Sequence, residues 1–148
     1  MSTTREFTVV ETNAGRASKL IGGIAADVRA RTGGDAVKRL RVVGSIEVAP
    51  ESDLIVEAVP EIPELKTRVL AAAERLSASG ILASNTSSLS AVSLADALEQ
   101  PERFLGMHFF QPVPDTVLTE LILHGGVSDE TVAAAQRWTE ELGAPLSR

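Results

Sequence analysis

The sequence predicts an α/β domain whose open sheet is mostly parallel and carries helices on both faces. Three observations lead there. Short β-branched runs alternate along the chain with stretches whose apolar residues recur at helical spacing, the pattern of successive strand–helix–strand units. Residues 53–59, Asp-Leu-Ile-Val-Glu-Ala-Val, are nearly continuously apolar, as a strand covered on both faces should be. The 148 residues, 44% hydrophobic and 23% charged, make one domain with a real core, far from the composition of a disordered chain.

Each element follows in order. Residues 7–11, Phe-Thr-Val-Val-Glu, form a short strand ending on an acid, and Asn13 then offers a helix N-cap. Apolar residues at 17, 20, 21, 24, 25 and 28 mark an amphipathic helix that stops at Gly33 and Gly34, although Gly22 and Gly23 inside it lower its intrinsic stability. Residues 40–46 and 53–59 are the second and third strands, with Pro60 and Pro63 at the exit. A helix over residues 64–79 sets Leu65, Val69, Ala73 and Leu76 on one stripe and ends at Gly80. Residues 81–84 give a fourth strand, Asn85 to Ser88 a polar turn, and residues 92–98 a short helix. Residues 104–110 and 117–123 are the fifth and sixth strands, separated by Pro112 and Pro114. Ser128 caps a last helix, with Asp129 and Glu130 well placed in its first turn and Gly143 at its stop.

Composition excludes several functions. A net charge of −6 argues against a nucleic-acid or membrane-surface partner, because a polyanion would be repelled. The absence of cysteine removes disulfides, a thiol nucleophile and thiolate zinc sites, and two histidines, His108 and His124, make a multi-histidine metal site improbable. With no apolar leader and no membrane-length run, a soluble, cytoplasmic protein is expected.

Ligands of an open α/β sheet sit at the carboxyl ends of its strands. Four such ends carry polar groups: Glu11, Glu61, the turn from Asn85 to Ser88, and His108. Glu11 suits the acid that accepts hydrogen bonds from the adenosine ribose in a Rossmann dinucleotide site, where it would also disfavour a 2′-phosphate and so select NAD; equally, it suits a solvated acid after a strand. No three of the eleven glycines have the G-x-G-x-x-G spacing, and a motif belonging to Glu11 would lie before residue 1. The first strand, phosphate-binding turn and first helix are therefore expected to be missing, leaving an open sheet edge or a gap in the strand order.

If the fifth and sixth strands form a hairpin centred on Pro114, paired positions sum to 228, and His108 faces Glu120. A carboxylate on one imidazole nitrogen fixes the tautomer and raises the basicity of the other, as a general base requires; a half-buried histidine with a structural acid would look the same. His124 reads as a surface turn residue. Asn85, Thr86, Ser87 and Ser88 serve either as turn and cap or as ligands to a substrate oxygen, and the G-x-S-x-G elbow of hydrolases is lacking.

Four segments together are specific: Asp53-Leu-Ile-Val-Glu-Ala-Val-Pro-Glu61, Leu65-Lys66, Ser84-Asn-Thr-Ser-Ser-Leu89, and Pro101-Glu-Arg-Phe-Leu-Gly-Met-His-Phe-Phe-Gln-Pro-Val-Pro114. They resemble the NAD-binding domain of the L-3-hydroxyacyl-CoA dehydrogenases, densely from Asp53 to Glu120 and more loosely on either side. The resemblance implies a Rossmann-like fold, NAD as cofactor, and oxidation of a 3-hydroxyacyl-CoA to the 3-ketoacyl-CoA in fatty-acid metabolism. By motif position it implies His108 as catalytic base, Glu120 as its orienting partner, and Ser87 on the substrate hydroxyl beside the nicotinamide. Glu61 and Lys66 fall near the nicotinamide ribose, Glu11 at the adenosine ribose, and Asn85 and Gln111 among the other cofactor contacts.

The sequence also departs from the family. Gln111 stands where the pattern has Asn, the stretch between Glu11 and Leu40 looks shorter, and the helical C-terminal domain, with a further active-site Asn and the dimer interface in that family, is expected to be absent. Residues 1–148 are thus expected to be a partial NAD-binding domain. An acyl-CoA-type substrate and a homo-oligomer fit this reading, which leaves open whether the chain is active alone. The alternatives are a non-catalytic Rossmann-like remnant or interaction module, and a dehydrogenase acting on a hydroxyacyl carrier protein.

Overall fold

A computed structural model describes residues 5–32, 35–110 and 118–142. The chain divides into two compact units, Met1–Pro50 and Glu51–Arg148, and the strands among the described residues form two hydrogen-bonded sheets, one in each unit.

In the first unit, β1 (Phe7–Val10) pairs in parallel with β2 (Leu40–Val43), Phe7 opposite Leu40 and Val10 opposite Val43. Between them runs α1 (Ala14–Thr32), which starts where Asn13 Oδ1 accepts the Arg16 N–H at 2.9 Å, the expected cap. The second strand is shorter than its sequence suggests. It stops at Val43 because Ser45, in extended backbone, accepts the Glu47 N–H and turns residues 46–48 into a single 3₁₀ turn. Among the described side chains of this unit, Ala25 is the one buried hydrophobic.

The second unit holds β3 (Leu54–Glu57), α2 (Pro63–Leu76), β4 (Ile81–Ser84), α3 (Ala91–Ala95), β5 (Phe104–Phe109), β6 (Thr119–Ile122) and α4 (Asp129–Glu141). The strands lie in the order β3-β4-β5-β6, the first three parallel and β6 antiparallel to β5. Among the described residues, β1, β2, β3 and β6 are each paired with a strand on one side only.

Side chains alternate across a strand. On one face, Ala83, Leu105 and Met107 pack with Ala135 of α4 in a fully buried cluster. Leu82, Ser84, Phe104, Gly106 and His108 share the other face, where Ser84 meets Glu57 and Lys66 of α2 reaches it. The sheet thus has helices on both faces. Phe104, Leu82 and Leu70 are wholly buried, each contributing about 1.5–3 kcal/mol by leaving water.

The boundaries of α2 show local chemistry at work. Pro63 occupies its first turn, where a missing N–H costs nothing. The helix ends at Leu76, three residues before the predicted stop, because Ser77 turns away. Its hydroxyl donates to Ser52 O at 2.6 Å, and Arg103 donates to the carbonyls of Ser77 (2.9 Å) and Gly80 (2.6 Å). Gly80 is required there, since a Cβ would sit 2.1 Å from Ser52 O. Buried Glu74 ties the helix to the following loop by accepting from the N–H groups of Glu99 and Gln100. Ser128 caps α4 by accepting the Thr131 N–H, as expected, whereas Pro112, Pro114 and Gly143 lie outside the described residues.

His124 differs from its expected role as a surface turn residue. It is half-buried, its Nε2 lies 3.1 and 3.0 Å from the carbonyls of Pro101 and Phe104, and its Nδ1 accepts the Gly126 N–H. Two carbonyls can only accept, so Nε2 carries the hydrogen. The ring therefore fastens the end of β6 to the start of β5.

Candidate functional site

Two groups of polar side chains gather at the carboxyl ends of the strands of the second unit. The first starts at Glu57, the last residue of β3, whose side chain is 0% exposed. Its Oε1 accepts from Lys66 Nζ at 2.8 Å and from the Val59 N–H at 2.6 Å, and its Oε2 accepts from Ser84 Oγ at 2.7 Å. Lys66, 1% exposed in the first turn of α2, also donates to Val59 O at 3.0 Å and to Glu61 Oε2 at 3.0 Å.

Glu61 carries the network to the surface. Its Oε1 accepts from Thr86 Oγ1 at 2.6 Å, from the Ser87 N–H at 2.9 Å and from the Ser88 N–H at 3.3 Å, with both serine hydroxyls within 3.5 Å. Desolvation opposes ionisation here. The bonds from Thr86, Lys66 and Ser87, together with the Lys66 charge, outweigh it and lower the Glu61 carboxyl from 4.5 to about 2. The turn after β4 is thereby moored to the exit of β3, while the Ser87 and Ser88 side chains stay exposed.

The second group lies on β5 and β6. The pairing register puts His108 opposite Glu120, the partner that hairpin arithmetic gives. His108 Nδ1 and Glu120 Oε2 are 3.6 Å apart, slightly beyond a hydrogen bond, with His108 20% and Glu120 52% exposed. Such contacts often tighten only when a substrate is present. The imidazole also rests against Phe110, ring centroids 4.5 Å apart. Asn85 links the two groups: its N–H donates to Glu57 O and its Oδ1 accepts the Phe109 N–H at 2.9 Å.

Among the sequence-derived candidates, the structure joins Glu61, Lys66, Asn85 and Ser87 in one network and His108 with Glu120 in another. Glu11 directly follows β1 in the first unit. Its carboxylate accepts from the Asn13 N–H (2.8 Å) and, in a fork, from Arg16 Nε (3.1 Å) and Nη2 (3.0 Å), which together hold it below its usual range. Gln111 lies outside the described residues. Glu57 and Ser84 escaped sequence reading. The signal was an acid ending an otherwise apolar strand, four residues before Glu61 and nine before Lys66.

Residues 5–145 match the family model described as the NAD-binding domain of 3-hydroxyacyl-CoA dehydrogenase. The chain is similar to the (S)-3-hydroxybutyryl-CoA dehydrogenase of Ralstonia eutropha, with 30% identity over 95% of this chain and 53% of that one, TM-score 0.87. It is similar to the 3-hydroxybutyryl-CoA dehydrogenase of Escherichia coli, with 28% identity over 95% of this chain and 32% of that one, TM-score 0.87. A 3-hydroxyacyl-CoA dehydrogenase of Archaeoglobus fulgidus shares 26% identity over 98% of this chain and 48% of that one, TM-score 0.81. The chain thus spans from about a third to about half the length of these relatives.

NAD is the cofactor of the matched domain, and the donor set suits it in two places. Glu11 directly follows a parallel strand, and its Oε2 keeps acceptor capacity beyond the single Arg16 bond, as ribose hydroxyls require. Ser87 and Ser88 present exposed hydroxyls at the end of β4. For the pyrophosphate, the sequence contains no G-x-G-x-x-G turn. Among the described residues no helix is long and apolar enough to cross a membrane, and no group of three His, Cys, Asp or Glu side chains forms a metal site.

Proposed function

The chain belongs to the 3-hydroxyacyl-CoA dehydrogenase family, as its NAD-binding domain, and from that premise we propose that it is the cofactor-binding and proton-accepting part of an enzyme that oxidises a 3-hydroxyacyl-CoA to the 3-ketoacyl-CoA in fatty-acid metabolism. The observation that carries the proposal is His108 facing Glu120 across β5 and β6 at the carboxyl end of the sheet.

Glu120 lies on the Nδ1 side of His108, so Nε2 is the nitrogen that takes the proton of the 3-hydroxyl. As the imidazolium forms, the carboxylate stabilises it, and its 52% exposure allows the side chain to close the remaining gap. Ser87 Oγ holds the substrate oxygen; Glu61 fixes the backbone beneath it. The resemblance gives the Asn85 and Gln111 amides, and separately Glu11, as further cofactor contacts. NAD, when bound, supplies the hydride acceptor.

One observation favours a second reading, a non-catalytic module: residues 1–148 hold no G-x-G-x-x-G motif, whose N–H groups would face a pyrophosphate. Assays of the chain alone, and of a chimera in which it replaces the matching segment of the Ralstonia enzyme, separate the two. We expect NADH to form from 3-hydroxybutyryl-CoA in the chimera and to fall by about 10²-fold or more on His108→Ala. An inactive but folded chimera would favour the module. By calorimetry the chain alone should bind NAD about 10²-fold or more weakly than the Ralstonia enzyme, the loss of one or two charge-assisted N–H bonds; tight binding would refute this.

A further inference from the structure

Lys66 has three N–H donors and three acceptors already within reach: Glu57 Oε1 at 2.8 Å, Val59 O at 3.0 Å and Glu61 Oε2 at 3.0 Å. With the side chain 1% exposed, no donor remains for a ligand. The same accounting applies one step deeper. Glu57 is fully buried and receives three donors, from Lys66, Val59 and Ser84, all from within the chain. Its role is therefore internal, yet what it holds leads outward in an unbroken series of bonds: Glu57 to Lys66, Lys66 to Glu61, and Glu61 to the backbone and hydroxyls of Ser87 and Ser88.

We propose that Glu57 is a positioning residue, the buried end of a clamp that sets the Ser87 hydroxyl through Lys66 and Glu61, and that Lys66 acts within this clamp and not as a cofactor contact. The geometry explains why an acid stands in an apolar strand. An ammonium held only by Glu61 and one carbonyl would be drawn toward the exposed carboxylate and leave the helix–strand junction; the buried carboxylate keeps it seated. Ser84 and the Val59 N–H fix that carboxylate in turn, so its rotamer has no freedom. The inference rests on the dehydrogenase reading only in making Ser87 a substrate contact.

Two variants test it, in the full chain and in the chimera. Glu57→Gln keeps shape and lets the amide donate to the Ser84 hydroxyl while its oxygen serves Lys66 and Val59, so chiefly charge is lost. The double variant Glu57→Leu with Lys66→Met removes both buried partners together, a change buried ion pairs often tolerate without unfolding. In the full chain, NMR should show the Ser87 and Ser88 amide resonances displaced in both variants. In the double variant the Glu61 carboxyl should titrate closer to its ordinary range. In the chimera, kcat should fall about 10-fold or more with a smaller change in KM, because a displaced hydroxyl misorients the substrate.

Folded variants whose Ser87 and Ser88 amides and Glu61 titration match the unsubstituted protein would overturn the clamp. So would displaced amides with unchanged kcat in an active chimera, for then the clamp would not position the site. An unsubstituted chimera without activity would refute the dehydrogenase reading alone, and the NMR result would still decide the role of Glu57.

Discussion

The two units use the same kinds of strand and bury very different amounts. Phe7 on β1 is 47% exposed, and Val10 and Ile21 stand open with it; Phe104 on β5 is fully buried. Ala25 is the buried hydrophobic of the first unit, and every other one among the described residues lies in the second. β-branched patterning alone therefore does not make a core. The second unit has four strands with α2 on one face and α4 on the other, whereas a two-stranded sheet with its helix is near the limit of independent stability.

The same substitution in each unit gives the widest contrast. Phe104→Ala should cost about 3–5 kcal/mol by denaturant titration, and Phe7→Ala about 1 kcal/mol or less. Equal losses would mean that the first unit has a core as firm as the second. Next comes the buried charge. Lys66→Met, which leaves Glu57 without its ammonium, should cost about 3–5 kcal/mol, while Arg16→Ala at the exposed Glu11 pair should leave the unfolding midpoint unchanged.

Acid sharpens the comparison at a smaller scale. Glu61 is depressed from 4.5 to about 2, so its contribution is complete above about pH 4.5 and is lost as pH falls through about 2. Thermal unfolding between those limits should lose stability with acid, and Glu61→Gln should flatten that slope. Glu11 is depressed too, and its contribution has the same sign. Being exposed, it should be too small to move the unfolding midpoint, whereas the buried Glu57–Lys66 pair should persist even in about 1 M salt. Smallest of all should be the difference in protection: amides of β1 and β2 should exchange faster than those of β4, whose four residues are all buried.

Much of this was legible in the residues. The six strands, the Asn13 and Ser128 caps, and the His108–Glu120 register all follow from patterns of period two, period 3.6 and hairpin symmetry, which are local. Strand and helix ends were less so. Ser45, Ser77 and Glu57 redirect the backbone through bonds to particular partners, and those at Ser77 come from Ser52 and Arg103, 25 and 26 positions away. Lys66 was found by motif and Glu57 was not, because a buried acid is recognised by what surrounds it, and its surroundings come from β4 and α2. The tautomer of His124 likewise depends on two distant carbonyls.

That β3 is hydrogen-bonded to a strand on one side only, among the described residues, bears on how the protein behaves in bulk. Natural sheets discourage strand-on-strand association by placing charges or prolines along an unpaired edge. β3 reads Leu54, Ile55, Val56, Glu57, and its one charge is turned inward and held by Lys66. β1 reads Phe7, Thr8, Val9, Val10 and has none. The bond that orders the interior thus takes the charge of β3 away from its unpaired side, and where that side meets a second copy, protein concentration becomes a variable of the protein's state. Light scattering that rises steeply with concentration, and subsides when Val56 is replaced by lysine, would be its signature.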